Sequence, residues 1–82
     1  MGVYYYIVNR TLKERIKKHY GKWGVFDFDD VVQYLCSHQE GWSNAHDIWA
    51  VGDDYSNAVK YFPCEGLTDD EMKEAMNEYA EV

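Results

Sequence analysis

The sequence has little proline, little cysteine and no long hydrophobic run. Its single proline is Pro63, and its two cysteines, Cys36 and Cys64, follow no close spacing pattern. The longest apolar run, residues 3–8, is far shorter than the roughly 20 residues that a membrane-spanning helix requires. No basic stretch followed by an apolar segment marks a secretion signal at the N-terminus. We therefore expect a cytoplasmic protein with reduced thiols that does not cross a membrane.

Motifs of the common enzyme classes are also absent. The chain contains no phosphate-binding P-loop, no Gly-x-Gly-x-x-Gly, no His-Glu-x-x-His and no Cys-x-x-Cys. An 82-residue chain without such a motif is more typical of a binding or regulatory module than of an enzyme. We expect no catalytic residues, no cofactor and no resident metal.

Basic residues are scarce after the first third of the chain. Residues 1–25 carry six Lys or Arg and one Glu, a net charge of +5, whereas residues 26–82 carry two Lys and fourteen Asp or Glu, a net charge of −12. The two parts sum to the −7 of the whole chain. This uneven distribution, more than the total, indicates where partners of opposite charge would bind.

Apolar residues are present in the quantity that a folded domain needs. Hydrophobic residues make up 46% of the chain and aromatic residues 17%, well above the content of disordered chains. The length leaves room for one hydrophobic core. We expect residues 1–82 to form a single domain.

Local patterns predict an α+β fold. Strands are predicted at residues 3–8, 23–26 and 46–51 from their β-branched and aromatic content. Helices are predicted at residues 12–20, 55–62 and 69–81 from apolar spacing of three and four. The same spacing predicts another helix that Asp27 caps and Gly41 ends. The first and last helices each begin with a capping box, Thr11–Glu14 and Thr68–Glu71. The expected architecture is a small three-stranded sheet with about four helices packed mainly on one face.

Two acidic segments resemble motifs of the haloacid dehalogenase-like phosphatases. Residues 25–31, Val-Phe-Asp-Phe-Asp-Asp-Val, match the first motif, and the later Gly-Asp-Asp matches the last. The resemblance implies a nucleophile at Asp27, a general acid at Asp29 and magnesium held by Asp53 and Asp54. However, the 21 residues between Val31 and Asp53 are too few for that family's intervening elements. We therefore predict that Asp27 caps a helix and that Asp53 and Asp54 form a turn.

Four residues have side chains that zinc prefers, namely Cys36, His38, His46 and Cys64. Their spacing is not that of a known zinc module. Cys36 falls on the apolar side of its predicted helix, where a thiol packs as a small hydrophobic group. We expect these residues to be structural and not to bind a metal.

The basic segment 10–22 is an alternative functional surface. It carries Arg10, Lys13, Arg15, Lys17 and Lys18 around a narrow apolar stripe, and could contact phosphates as part of a nucleic-acid-associated regulatory protein. The −12 charge of the remaining chain opposes direct nucleic-acid binding unless the charges are separated in space as well as in sequence.

The acidic C-terminal helix is the favoured candidate site. Its carboxylates recur at about one per 3 Å of helix, close to the charge spacing of one DNA strand. We expect a protein-interaction module, an inhibitor that docks on a partner's basic nucleic-acid-binding surface. Small acidic viral anti-defence proteins, including anti-CRISPR proteins, share this composition, and such a protein would act in the host cytoplasm. The predicted partner-binding residues are Asp53, Asp54, Asp69, Asp70, Glu71, Glu74, Glu78 and Glu81.

Overall fold

A computed structural model describes residues 3–22, 25–55, 58–59 and 66–82 of the chain. These residues form an α+β fold with a mixed sheet in the order β4-β3-β1-β2-β5, in which β2 and β5 are parallel and the other neighbours antiparallel. Its elements are β1 (Tyr5–Asn9), β2 (Glu14–Arg15), α1 (Phe28–His38), β3 (Ile48–Gly52), β4 (Ala58–Val59), α2 (Asp69–Asn77) and β5 (Ala80–Glu81). Within these ranges, neither helix is long and apolar enough to cross a membrane.

Strands β1 and β3 form the centre of the sheet. Their register pairs Ile7 with Ala50 and Val8 with Trp49. Because successive side chains of a strand point to opposite faces, the first pair lies on one face of the sheet and the second pair on the other. All four side chains are buried, so both faces of the sheet are covered.

The two helices cover opposite faces of this sheet. Helix α1 contributes Phe28 and Leu35 to the core that contains Ile7, whereas α2 contributes Met72 and Ala75 to the core around Val8 and Trp49. The prediction that the helices pack mainly on one face is therefore wrong. Since each central strand has apolar side chains in both directions, one helical layer could not bury them all.

The predicted helix at residues 12–20 is a hairpin turn followed by an extended segment. Thr11 and Glu14 do not form a capping box. The Thr11 hydroxyl accepts a hydrogen bond from the Asp47 backbone N–H (2.9 Å), and the Glu14 carboxylate accepts one from Trp42 Nε1 (2.8 Å). Both side chains therefore contact residues distant in sequence, and the local helix signal is overridden.

The extended segment after β2 bulges away from the sheet. The Ile16 backbone N–H donates to the Ile7 carbonyl oxygen, and the Tyr20 backbone N–H donates to the Tyr5 carbonyl oxygen, both at 2.9 Å. Between these two hydrogen bonds the segment advances by four positions, from 16 to 20, while β1 advances by two, from 7 to 5. The two extra residues form the bend at residues 17–18. Lys17 and Lys18 are exposed there.

Other predicted elements differ in part. Ala58 and Val59 form β4, which pairs with β3, instead of belonging to a helix over 55–62, and residues 60–62 lie outside the described residues. Of the predicted strand 23–26, residues 23–24 are also outside them, and Phe26 makes an isolated bridge. The described residues thus contain two helices and five short strands, in place of about four helices and three strands.

A glycine substitution at Lys13 distinguishes the observed hairpin from the helix that the sequence predicts. Lys13 has a left-handed φ of 54°, which costs a residue with a Cβ about 1–2 kcal/mol, whereas glycine adopts it readily. Lys13→Gly should therefore leave the free energy of unfolding unchanged or raise it by up to about 1 kcal/mol. Chemical denaturation measures this. The matched control is Lys73→Gly within α2, which should lose about 1 kcal/mol, and a similar loss for Lys13→Gly would contradict the hairpin.

Candidate functional site

Helix α2 presents carboxylates on the side facing away from the sheet. Thr68 caps its first turn, with Thr68 Oγ1 accepting from the Glu71 backbone N–H and the Glu71 carboxylate accepting from the Thr68 backbone N–H. Asp69, Asp70 and Glu78 are exposed, and Glu74 is half-buried. The predicted capping box and acidic helix are present, although the helix ends at Asn77.

Glu71 is held by contacts within the chain. Its carboxylate accepts a hydrogen bond from Arg10 Nη2 at 2.7 Å, in addition to its bond with Thr68. Hydrogen bonds from Thr68 and the positive charge of Arg10 lower the pKa of the Glu71 carboxyl. Glu71 therefore joins α2 to the end of β1, and its carboxylate is engaged within the chain.

Arg10 bridges two acidic residues from different parts of the chain. Its guanidinium lies 3.3 Å from the Asp47 carboxylate and 2.7 Å from that of Glu71. Burial lowers the pKa of Arg10, but a hydrogen bond with Tyr79 and the charges of Glu71 and Asp47 outweigh this effect, so the pKa is raised. Asp47 also accepts a hydrogen bond from Trp49 Nε1 at 2.9 Å. This cluster joins the start of β3 to α2.

Arg15 and Glu81 form a second pair of this kind. Arg15 is buried, its guanidinium lies 5.1 Å from the centre of the Tyr6 ring, and it hydrogen bonds to the Glu81 carboxylate. Glu81 belongs to β5, whose parallel pairing with β2 brings the two side chains together. Glu81 is therefore also engaged within the chain, and the acidic and basic segments meet through arginines.

Asp53 and Asp54 occupy the turn after β3, as predicted. Both are exposed, and the Asp53 backbone N–H donates to the Tyr4 carbonyl oxygen at 2.9 Å. The next residue, Tyr55, accepts a hydrogen bond through its hydroxyl from Asn77 Nδ2 at 3.3 Å. The turn thus adjoins the C-terminal end of α2, and both acidic groups lie on the same side of the molecule.

Asp27 and Asp29, to which the phosphatase resemblance gives catalytic roles, belong to the N-terminal end of α1. Asp27 is the N-cap of α1, where its carboxylate accepts from the Asp30 backbone N–H at 3.3 Å. Asp29 lies in the first turn of the same helix, in which a carboxylate is stabilised by the helix dipole. No group of three or more His, Cys, Asp or Glu side chains among the described residues is placed to hold a metal ion.

The predicted cysteine and histidine residues are dispersed. Cys36 is half-buried against the α1 core, and burial raises the pKa of its thiol. His38 is exposed at the end of α1, whereas His46 Nδ1 lies 3.0 Å from Asn9 Nδ2 and accepts from the Ser43 backbone N–H at 3.2 Å. Cys64 lies outside the described residues.

Asn9 was missed by the sequence analysis. It is fully buried at the end of β1, where its Oδ1 accepts from the Leu12 backbone N–H at 3.0 Å. Together with the His46 contact, this bond fixes the turn that carries Arg10. An asparagine directly after a β-branched run and before a charged residue is the available signal, since Asn commonly starts turns.

The pKa of Glu71 gives a prediction for acid stability. Because folding lowers this pKa, the ionised carboxylate stabilises the fold fully above the usual glutamate value of about 4.3, and the contribution is lost as the pH falls through the lowered value. Glu71→Gln should therefore lower the midpoint of thermal unfolding at pH 7, and the difference from wild type should shrink toward pH 3. Thermal melts from pH 7 to pH 3 measure this.

The control is Glu78→Gln, because no ion pair among the described residues includes the exposed Glu78 side chain. Its melting midpoint should not fall below that of wild type at any pH, and at pH 7 it should be equal or slightly higher, since a carboxylate at a helix C-terminus is not favoured by the helix dipole. Equal effects of the two variants would contradict the role assigned to the Arg10–Glu71 pair.

Comparisons with known proteins give no relative. No family model matches the chain, no curated protein matches its sequence, and no solved structure matches its fold.

Proposed function

We propose that the chain is a protein-interaction module that docks on a partner's basic, nucleic-acid-binding surface through the outer face of α2. The observation that supports this is the exposure of Asp69 and Asp70 in the first turn of α2 and of Glu78 at its C-cap. Two acidic residues are paired with arginines: Glu71 attaches α2 to the end of β1 through Arg10, and Glu81 attaches β5 to β2 through Arg15.

The remaining charge density still suits a basic surface. With Glu74, four acidic residues span ten positions, about 15 Å of helix, or one carboxylate per about 4 Å. This is close to the roughly 3.4 Å per charge of a single DNA strand. Lys73 is the single basic residue between them. A surface that binds phosphates through Lys and Arg would be attracted to this face for the same electrostatic reason.

The adjoining turn extends the acidic face. Asp53 and Asp54 are exposed beside the C-terminal end of α2, where carboxylates are not favoured by the helix dipole. Acidic groups at such a position lower the free energy of unfolding of the domain. Because they do not stabilise the fold, a role in binding is the favoured explanation for them. Opposite charges across an interface mainly accelerate association and set specificity. We therefore assign α2 the main contact and the Asp53–Asp54 turn a secondary one.

The experiment is capture of a partner by the tagged protein from lysate of its native cells, at low and high salt, followed by competition. A retained protein supports the proposal if it binds nucleic acid and the wild-type chain displaces that nucleic acid. The variant Asp70→Asn with Glu78→Lys should then slow association with the captured partner by about tenfold or more at low salt. Surface plasmon resonance measures this rate.

A matched variant controls for net charge. Asp30→Asn with Glu40→Lys makes the same change of +3 at a first helical turn and a loop outside α2. Its association rate should stay within about twofold of wild type. Equal slowing by both variants, or association that is insensitive to salt, would overturn the assignment to α2.

A further inference from the structure

An open groove of about 560 Å³ lies between α1 and the bulged segment after β2. Its apolar floor includes Ile16 and Leu35, and Tyr20 and Tyr34 contribute to its walls. Burial raises the pKa of the Tyr20 hydroxyl, and the neighbouring Tyr34 adds to this rise. The volume is within the range of small-molecule sites, about 300–1,000 Å³.

One wall of the groove is a stacked pair of rings. The Tyr34 and His38 ring centres are 4.1 Å apart with an angle of 17° between the planes, and His38 Nδ1 lies 2.9 Å from the Tyr34 carbonyl oxygen. Tyr34 is nevertheless 57% exposed. A fixed aromatic side chain with this much exposure offers a surface on which a planar ring can stack.

The opposite wall carries two lysines. The bulge turns Lys17 and Lys18 outward, and Lys18 Nζ lies 5.1 Å from the centre of the Tyr20 ring. Every ion pair among the described residues uses an arginine, so neither lysine is neutralised by such a pair. Their ammonium groups are thus available to an anion next to the aromatic wall.

We propose that this groove binds a phosphorylated nucleobase, with the base stacked on Tyr34 and the phosphate held by Lys17 and Lys18. A free nucleotide and a unit of single-stranded nucleic acid share this chemistry. Aromatic stacking combined with lysine contacts to phosphate is the general mode by which proteins bind single strands.

The acidic charge of the chain does not prevent this binding. The groove lies on the α1 face of the sheet and the acidic face of α2 lies on the other. The sheet lies between the two helical layers, and packed layers are about 10 Å apart, which exceeds the screening length of about 8 Å at physiological salt. Asp29 and Asp30 of α1 are in its first turn, whereas the groove is lined by its second half.

Titration calorimetry at physiological salt tests the proposal. The ligands are adenosine monophosphate, a single-stranded oligonucleotide of twelve nucleotides and inorganic phosphate. The oligonucleotide or the nucleotide should bind to wild type at least tenfold more tightly than inorganic phosphate. Tyr34→Ala should weaken that binding by about fivefold or more, because stacking contributes about 1–3 kcal/mol per base. Tyr34→Phe keeps the ring and should stay within twofold of wild type.

The lysines are tested with a matched pair of variants. Lys17→Ala with Lys18→Ala should weaken binding and reduce its dependence on salt. Lys13→Ala with Lys22→Ala removes the same charge from exposed lysines that do not line the groove, and should leave binding within twofold of wild type. Equal loss in both double variants, or no loss in Tyr34→Ala, would overturn the groove assignment.

Two further outcomes complete the test. Tight binding of the oligonucleotide with weak binding of the nucleotide identifies a single strand as the ligand, and the reverse identifies a free nucleotide. No binding of either at millimolar concentration, or binding of inorganic phosphate with equal affinity, overturns the proposal. The acidic variant Asp70→Asn with Glu78→Lys shares no residue with the groove and should retain binding, so this proposal can fail independently of the proposed function.

Discussion

The pairing of β1 with β3 is the interaction on which the rest of the structure depends. It buries Ile7 and Ala50 on one face and Val8 and Trp49 on the other. Neither face can remain in water, so α1 and α2 must pack on opposite faces of the sheet. Because buried apolar surface contributes about 25 cal/mol per Å², a sheet that is buried on both faces gives a small chain more stabilisation than a sheet covered on one face. The same arrangement separates the surface of α1 from the acidic surface of α2.

The fold was predictable from the sequence wherever local signals and long-range packing agree. Helices α1 and α2 were predicted because Asp27 and Thr68 cap them and their apolar spacing matches the core that they cover. The segment 12–20 was wrongly predicted because the spacing of Leu12 and Ile16 also fits an extended chain that contacts β1. There Ile16 is buried as part of the sheet, while Leu12 remains 39% exposed. A capping box contributes about 1 kcal/mol, which several sheet hydrogen bonds and a buried isoleucine outweigh.

The candidate site was predictable in composition but not in its internal pairing. The acidic stripe follows directly from helical spacing. Which carboxylates stay available depends on Arg10 and Arg15, which precede their partners Glu71 and Glu81 by 61 and 66 positions. The pairing of β2 with β5 brings Arg15 to Glu81, and the packing of α2 on the sheet brings Glu71 to Arg10. Nothing local marks either arginine as different from the lysines around it.

The different roles of arginine and lysine in this chain follow from their chemistry. A guanidinium is planar, always charged and weakly hydrated, so Arg10 can serve two carboxylates and Arg15 can be buried beside an aromatic ring. An ammonium group is strongly hydrated and costs more to bury, so Lys17 and Lys18 stay exposed at the bulge. The arginines thus hold the acidic and basic segments together where they meet, and the lysines remain exposed on the α1 face. One segment of mixed basic residues can therefore fix the fold and still leave an unneutralised basic groove opposite an acidic helix.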